Sequence, residues 1–291
     1  MAGWLDIHAH GGGGFDFGGT VDGTRAALAA HGAHGTDRIV ASLVSAPLAE
    51  TRRAVGVIRE AMAVEPGLLG VHLEGPFLAP ARKGAHDPDA LALPTPEHVA
   101  ALLEACDGTM RQITVAPELP GALDAIETLV DNGVVVAVGH TEATADQARA
   151  AFDRGATLLT HGFNAMRGIV GREPGPVGAA LADERVSIEV IADGIHVHPD
   201  NIAALFRAAP GRIVLVTDAM SAAAAAPGRY ILGGLDVDVT ADGRAVLAGT
   251  DTLAGSTLTL DRAVEVCVAA GVPCEDAVAA ATTVPERVLG L

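Results

Sequence analysis

The chain is predicted to fold as an α/β protein of the (β/α)8 TIM-barrel kind, on three observations. Short apolar runs alternate with helical stretches along most of its 291 residues, and the runs can be placed at eight positions. No G-x-G-x-x-G turn joins the first run to its helix, which argues against a doubly wound open sheet. The polar residues that can do chemistry gather at the carboxyl ends of the runs, the end where a barrel carries its active site.

In order, the expected strands are Trp4–Ala9, Arg38–Ser45, Leu68–Glu74, Gln112–Ala116, Val134–Val138, Leu158–His161, Ser187–Ala192 and Arg212–Thr217. Between and after them the Ala-rich stretches Thr20–His31, Ala49–Ala63, Thr95–Cys106, Ala122–Asn132, Thr144–Arg154, Asp200–Ala208 and Thr257–Ala270 suit helices, as does a last one over Glu275–Val288. Residues 229–247 alternate apolar and polar side chains around Asp242-Gly243 and read as a β-hairpin insertion. The organisation expected is one catalytic barrel over 1–291.

Composition bounds the partners. With 49% hydrophobic residues there is ample material for a core, and with only 3% aromatic it must be built from Val, Leu, Ile and Ala. A formal charge of −17 argues against a nucleic-acid binder, though one or two local cations suffice for a small anion. No apolar run reaches the roughly 20 residues of a membrane span, and the N-terminus does not read as a signal peptide. Three unpatterned cysteines suggest no disulfide framework, so a reducing cytoplasm is expected.

Placed on the barrel, the polar residues form one set. His8 and His10 end the first strand with an i, i+2 spacing that sends both side chains to one face. Glu74 closes the third strand, His140 the fifth, His161 the sixth and Asp218 the eighth, while Glu118 follows the fourth and Asp193 and His196 follow the seventh. A single one of these is most simply a structural residue or a helix cap, but structural residues would fall at both ends of the barrel. Imidazoles and carboxylates around a barrel mouth are a hydrolase's ligands for one or two divalent cations, zinc first, with iron, manganese or cobalt as alternatives. Glu74 can ligate one cation or bridge two, and Asp218 is placed to take a proton from water.

Seven segments carry a family resemblance: H-L-E-G-P-F-L-A-P-A-R-K-G-A-H (72–86), V-G-H-T-E-A-T (138–144), T-H-G-F-N-A-M (160–166), G-R-E-P-G-P-V-G-A (171–179), A-D-G-I-H-V-H-P (192–199), V-T-D-A-M-S-A (216–222) and L-A-G-S-T-L-T (253–259). With them the chain resembles the N-acetylglucosamine-6-phosphate deacetylases of the amidohydrolase superfamily. The resemblance implies Glu74, His140 and His161 as principal metal ligands, with His8 and His10 as a first-strand pair that some relatives use for a second metal. It implies Asp218 as general base and acid, and His86 as the residue that polarises or binds the acetyl carbonyl. Asn164 and Ala165 would meet the sugar or phosphate. Arg172 and His196 would hold the 6-phosphate, the arginine coming from the neighbouring subunit of a homodimer. Leu253, Ala254 and Gly255 would wall the acyl group. Family members also carry a small β-sandwich built from segments on either side of the barrel. Here the first strand begins near Trp4 and the sequence stops at Leu291 just after the last helix, so a barrel without the sandwich is expected. The function implied is deacetylation of N-acetylglucosamine 6-phosphate. Another N-acyl amino-sugar phosphate, such as the galactosamine epimer, and an inactive sugar-phosphate-binding barrel are the alternatives.

Overall fold

The computed structural model describes residues 3–291. Eight parallel strands form one sheet in sequential order: β1 (Trp4–Ala9), β2 (Thr36–Val44), β3 (Leu68–Glu74), β4 (Met110–Val115), β5 (Val135–Val138), β6 (Leu158–Leu159), β7 (Ser187–Ile191) and β8 (Ile213–Val216). At the mouth, the Asp218 N–H donates to the His8 carbonyl (2.8 Å) and the His10 N–H to the Ala219 carbonyl (2.7 Å), tying the last strand to the first. A helix follows each strand: α1 (Val21–Gly32), α2 (Leu48–Met62), α3 (Pro96–Cys106), α4 (Ala122–Asp131), α5 (Ala145–Asp153), α6 (Gly175–Leu181), α7 (Pro199–Ala208) and α8 (Leu260–Ala269). The predicted barrel is therefore the observed one.

Strand alternation divides the side chains between two layers. Leu5, Ile7, Ile188 and Val190 join the apolar core between sheet and helices. Asp6, His8 and Glu189, of opposite parity on the same strands, are fully buried too but enter polar contacts across the barrel. Side-chain caps start the helices close behind the site residues: Thr144 forms a capping box with Gln147 at α5, and the His198 ring accepts from the Asp200 N–H at α7. Between His140 and its strand, Gly139 has no room for a side chain, because an added Cβ would lie 2.6 Å from the Thr160 Cβ.

Three elements differ from expectation. Helix α6 was not foreseen, because its residues G-P-V-G-A-A-L follow a Gly-Pro-rich loop and carry a proline, which a first turn tolerates. The last helix is two, α9 (Cys274–Ala280) and α10 (Thr283–Leu289), broken at Ala281–Thr282. The hairpin is a three-stranded meander, β9 (Gly228–Leu232), β10 (Leu235–Val239) and β11 (Ala245–Leu247). Its first turn is Gly233-Gly234, both at positive φ (56° and 82°), while Asp242-Gly243 lies in the second connection. The meander covers a small apolar cluster containing Met220, Val237 and Ala254.

Candidate active site

The barrel mouth gathers His8, His10, Glu74, His86, His140, His161 and Asp218, all buried. Glu74 is the hub. Its Oε1 lies 3.0 Å from Nε2 of both His140 and His161, and its Oε2 lies 3.1 Å from Nε2 of His86 and 3.3 Å from that of His10. The Asp218 Oδ1 stands 3.2 Å from His10 Nε2 and 3.5 Å from His8 Nε2. Three of these residues sit in the left-handed region, His140 at φ 46°, His161 at 26° and Asp218 at 50°. Such strain persists where the surroundings over-determine it.

Fixed partners reveal which imidazole nitrogens carry hydrogens. His140 Nδ1 lies 2.8 Å from the Arg82 carbonyl oxygen, which only accepts, so Nδ1 donates. The lone pair of a neutral His140 is then on Nε2, facing Glu74 Oε1 and, at 3.1 Å, His161 Nε2. His8 Nδ1 likewise donates to Glu189 Oε2 (3.0 Å), leaving its buried Nε2 without a hydrogen-bond partner and 3.5 Å from both Glu74 and Asp218. His86 is the opposite case. The Ser45 N–H donates to its Nδ1 (3.1 Å), so Nε2 bears the hydrogen and points to Glu74.

Carboxylate oxygens and imidazole nitrogens converge here closely enough that positive charge, as protons on the rings or as a metal cation that replaces them, belongs among them. Two groups of donor atoms, His8–His10–Glu74–Asp218 and Glu74–His140–His161, each lie within 4.8 Å of one another. They fit one or two divalent metals, with Glu74 common to both. The electrostatics agree. Burial alone would lower the pKa of His8, but Glu189, Glu74 and Asp218 outweigh it and push it up to about 10. Burial would also lower His10, but Asp218 and Glu74 raise it to about 9. Glu74 and Asp218 are held below the ordinary carboxylate range, since the histidines outweigh burial. The site attracts positive charge.

A cavity of about 450 Å3 opens over these residues. Asn164, Ala165, His196, Leu253 and Gly255 line it, together with His86. Asp193 Oδ2 lies 2.6 Å from His196 Nδ1 and accepts its hydrogen bond, which leaves the other ring nitrogen available to a ligand. Burial would raise the Asp193 pKa, but the bond and charge of His196 hold it below its ordinary value. Two expected substrate residues lie elsewhere. Ala254 is fully buried in the cluster under the meander, behind Leu253 and Gly255. Arg172 is exposed on the loop before α6 and does not line the cavity of its own chain. Glu118 is outside the donor set, its carboxylate accepting from the Thr141 hydroxyl and the Glu142 N–H.

Several residues escaped the sequence reading. Arg82 and Asp251 line the cavity. Beneath the mouth, Ser42, His72, Thr114 and Thr160 form a hydrogen-bonded chain through the barrel interior, with His72 kept well below its ordinary pKa by burial. Glu189 is the most consequential, a fully buried carboxylate in the middle of β7. A signal existed in S-I-E-V-I, where a lone acid interrupts an apolar strand.

The sequence matches the model of the Amidohydrolase family over residues 1–291. The chain belongs to the amidohydrolase family. Among curated relatives, this amidohydrolase is 40% identical to an N-acetylgalactosamine-6-phosphate deacetylase of Escherichia coli O157:H7, over 99% of this chain and 77% of the relative. It is 36% identical to an N-acetylglucosamine-6-phosphate deacetylase of Vibrio furnissii, over 100% of this chain and 74% of that one. Among solved structures it resembles a mutant N-acetyl-D-glucosamine-6-phosphate deacetylase from Mycobacterium smegmatis in complex with N-acetyl-D-glucosamine-6-phosphate. There the TM-score is 0.95 at 48% identity, covering 100% of this chain and 78% of the other. No helix among the described residues is long and apolar enough to cross a membrane.

Proposed function

We propose that this amidohydrolase removes the acetyl group of N-acetylglucosamine 6-phosphate, giving glucosamine 6-phosphate and acetate. The observation that carries the reading is the division of labour around Glu74: His8 and His140 turn Nε2 to the mouth with Nδ1 engaged behind it, while His86 presents an N–H. The first arrangement suits metal ligands and the second suits a donor to a carbonyl oxygen. Glu74, His140 and His161 would hold one metal, and His8 and His10 with Asp218 a second. Zinc is the first choice, and iron, manganese or cobalt would also suit the donors. When bound, such a cation supplies Lewis acidity that activates water at neutral pH and polarises a carbonyl.

The chain's own residues account for the remainder. Asp218, ionised at neutral pH, would accept the proton of the attacking water and pass it to the leaving amine nitrogen. His86 Nε2–H would donate to the acetyl oxygen, where charge develops. His196, its ring oriented by Asp193, would meet the 6-phosphate with Asn164 and Ala165. Leu253 and Gly255 would wall the acyl group, and Ala254 would back them. Arg172 would reach the phosphate of a neighbouring chain in a homodimer, as the family resemblance implies, and its exposed place outside its own cavity leaves it free to do so. Three cysteines without a disulfide are in keeping with a cytoplasmic setting.

The test is acetate release from the sugar phosphate by zinc-loaded protein. Release that stops with chelator and returns with zinc is expected, and none under any metal would refute the reading. The galactosamine epimer belongs in the same assay, because a relative bearing that name is 40% identical.

A further inference from the structure

The mouth stands on one buried acid that does not reach the cavity. Glu189 is completely buried on β7, and three groups address its carboxylate. Gln112 Nε2 donates to Oε1 at 2.7 Å, the His161 N–H donates to Oε2 at 3.2 Å, and His8 Nδ1 lies 3.0 Å from the same Oε2. One oxygen thus holds the ring of a residue from one donor group and the backbone of a residue from the other. Nδ1 of His8 is engaged by that contact, so Nε2 is the ring nitrogen left to face Glu74 and Asp218. Both side chains are fully buried, so bulk water does not reach this contact. Burying a carboxyl group is costly unless it is well paired, so its presence here is not explained by packing alone.

We infer that Glu189 is a positioning residue: it fixes the tautomer and aim of His8, sharpens His8 as a metal donor, and through the His161 N–H links the two halves of the site. Glu189 touches neither substrate nor metal. Outer partners of this kind change metal affinity by about 10–100-fold. The inference rests on the metal-binding part of the proposed function and not on the identity of the sugar.

Zinc titration of the metal-free protein tests it without turnover, comparing wild type, His8→Ala, Glu189→Ala and Glu189→Gln. The zinc equivalent that His8→Ala weakens marks the His8 site. Glu189→Ala should weaken that same equivalent by about 10–100-fold. Glu189→Gln, which keeps an acceptor oxygen and loses the charge, should weaken it less. Cobalt-substituted protein should show a changed visible spectrum for that site. Melting of the metal-free proteins separates a structural role. If Glu189 only supports the fold, Glu189→Ala lowers the metal-free melting temperature and weakens both halves alike. That result, or zinc affinities unchanged in both Glu189 variants, overturns the inference. So does a His8→Ala protein that binds zinc as the wild type does. If Glu189→Ala does not fold, Glu189→Gln decides alone, and an unchanged zinc curve overturns the inference. A wild type that binds no zinc would refute the metal reading instead, which is a separate outcome.

Discussion

The two donor groups at the barrel mouth share Glu74 and are held in different ways. His8 and His10 lie on and just past β1, at an i, i+2 spacing, and His8 is aimed by a carboxylate from across the barrel. His140 and His161 lie past the ends of short strands at positive φ. His140 is aimed by the Arg82 main-chain carbonyl, and the buried His161 Nδ1 has no partner among the described residues. The His8 ring is thus aimed by a side chain and the His140 ring by backbone. Side-chain positioning can be lost by a single substitution, whereas backbone positioning needs the fold around it to change. The His8 side is therefore expected to be the more easily altered half.

The largest expected effect removes the comparison itself. Glu74→Gln takes the charge from the residue common to both groups, so zinc should be lost from both and turnover should fall to background. Elemental analysis would check this, and retention of zinc in one half would mean that the groups are independent. Next comes Asp218→Asn, which should keep the His140 side metal-loaded and cost roughly 10²–10⁴-fold in kcat if Asp218 moves the proton. Near-normal kcat in the metal-loaded variant would assign proton transfer to another group.

Arg172→Ala leaves both halves intact and should raise KM for the phosphorylated sugar about 10–100-fold, the worth of a charged hydrogen bond, with little change for the unphosphorylated one. Mixing it with Asp218→Asn chains should restore some activity, because one site of a mixed dimer would combine an intact Asp218 with an intact Arg172. A monomer by sedimentation that still prefers the phosphorylated sugar would rule out sharing.

The smallest effect sharpens the backbone side. Gly84 is at φ +55°, and a Cβ there would lie 3.2 Å from His140 Cε1. Gly84→Ala should weaken zinc on the His140 side only. It should also lower the melting temperature by a few degrees, since an alanine forced to positive φ costs about 1 kcal/mol or more. Equal weakening of the His8 side would contradict the division drawn between the halves.

Much of this was legible in the residues. The eight strands and seven of the eight helices that follow them show in the periodicity, because a parallel sheet buried on both faces needs apolar runs and its crossovers need amphipathic helices. Helix α6 did not, since only tertiary packing makes seven residues containing two glycines and a proline helical. The histidines and acids at strand ends were visible through their common polarity along the barrel axis. Ala254 and Arg172 carried roles taken from motifs, and motif spacing does not say which residues line a cavity and which stand behind it or outside it.

By itself the sequence determined the barrel, its active end and the side chains that end there, because strand period and chain direction are local properties that set which residues point inward and upward. Only the tertiary structure decided that His8 and His140 turn Nε2 to the mouth with Nδ1 engaged behind it, that His86 presents a hydrogen, and that Glu189 stands behind His8. A histidine's tautomer depends on what its second nitrogen meets, and here those partners lie 181 residues away for His8, 58 for His140 and 41 for His86. They meet only when the barrel closes.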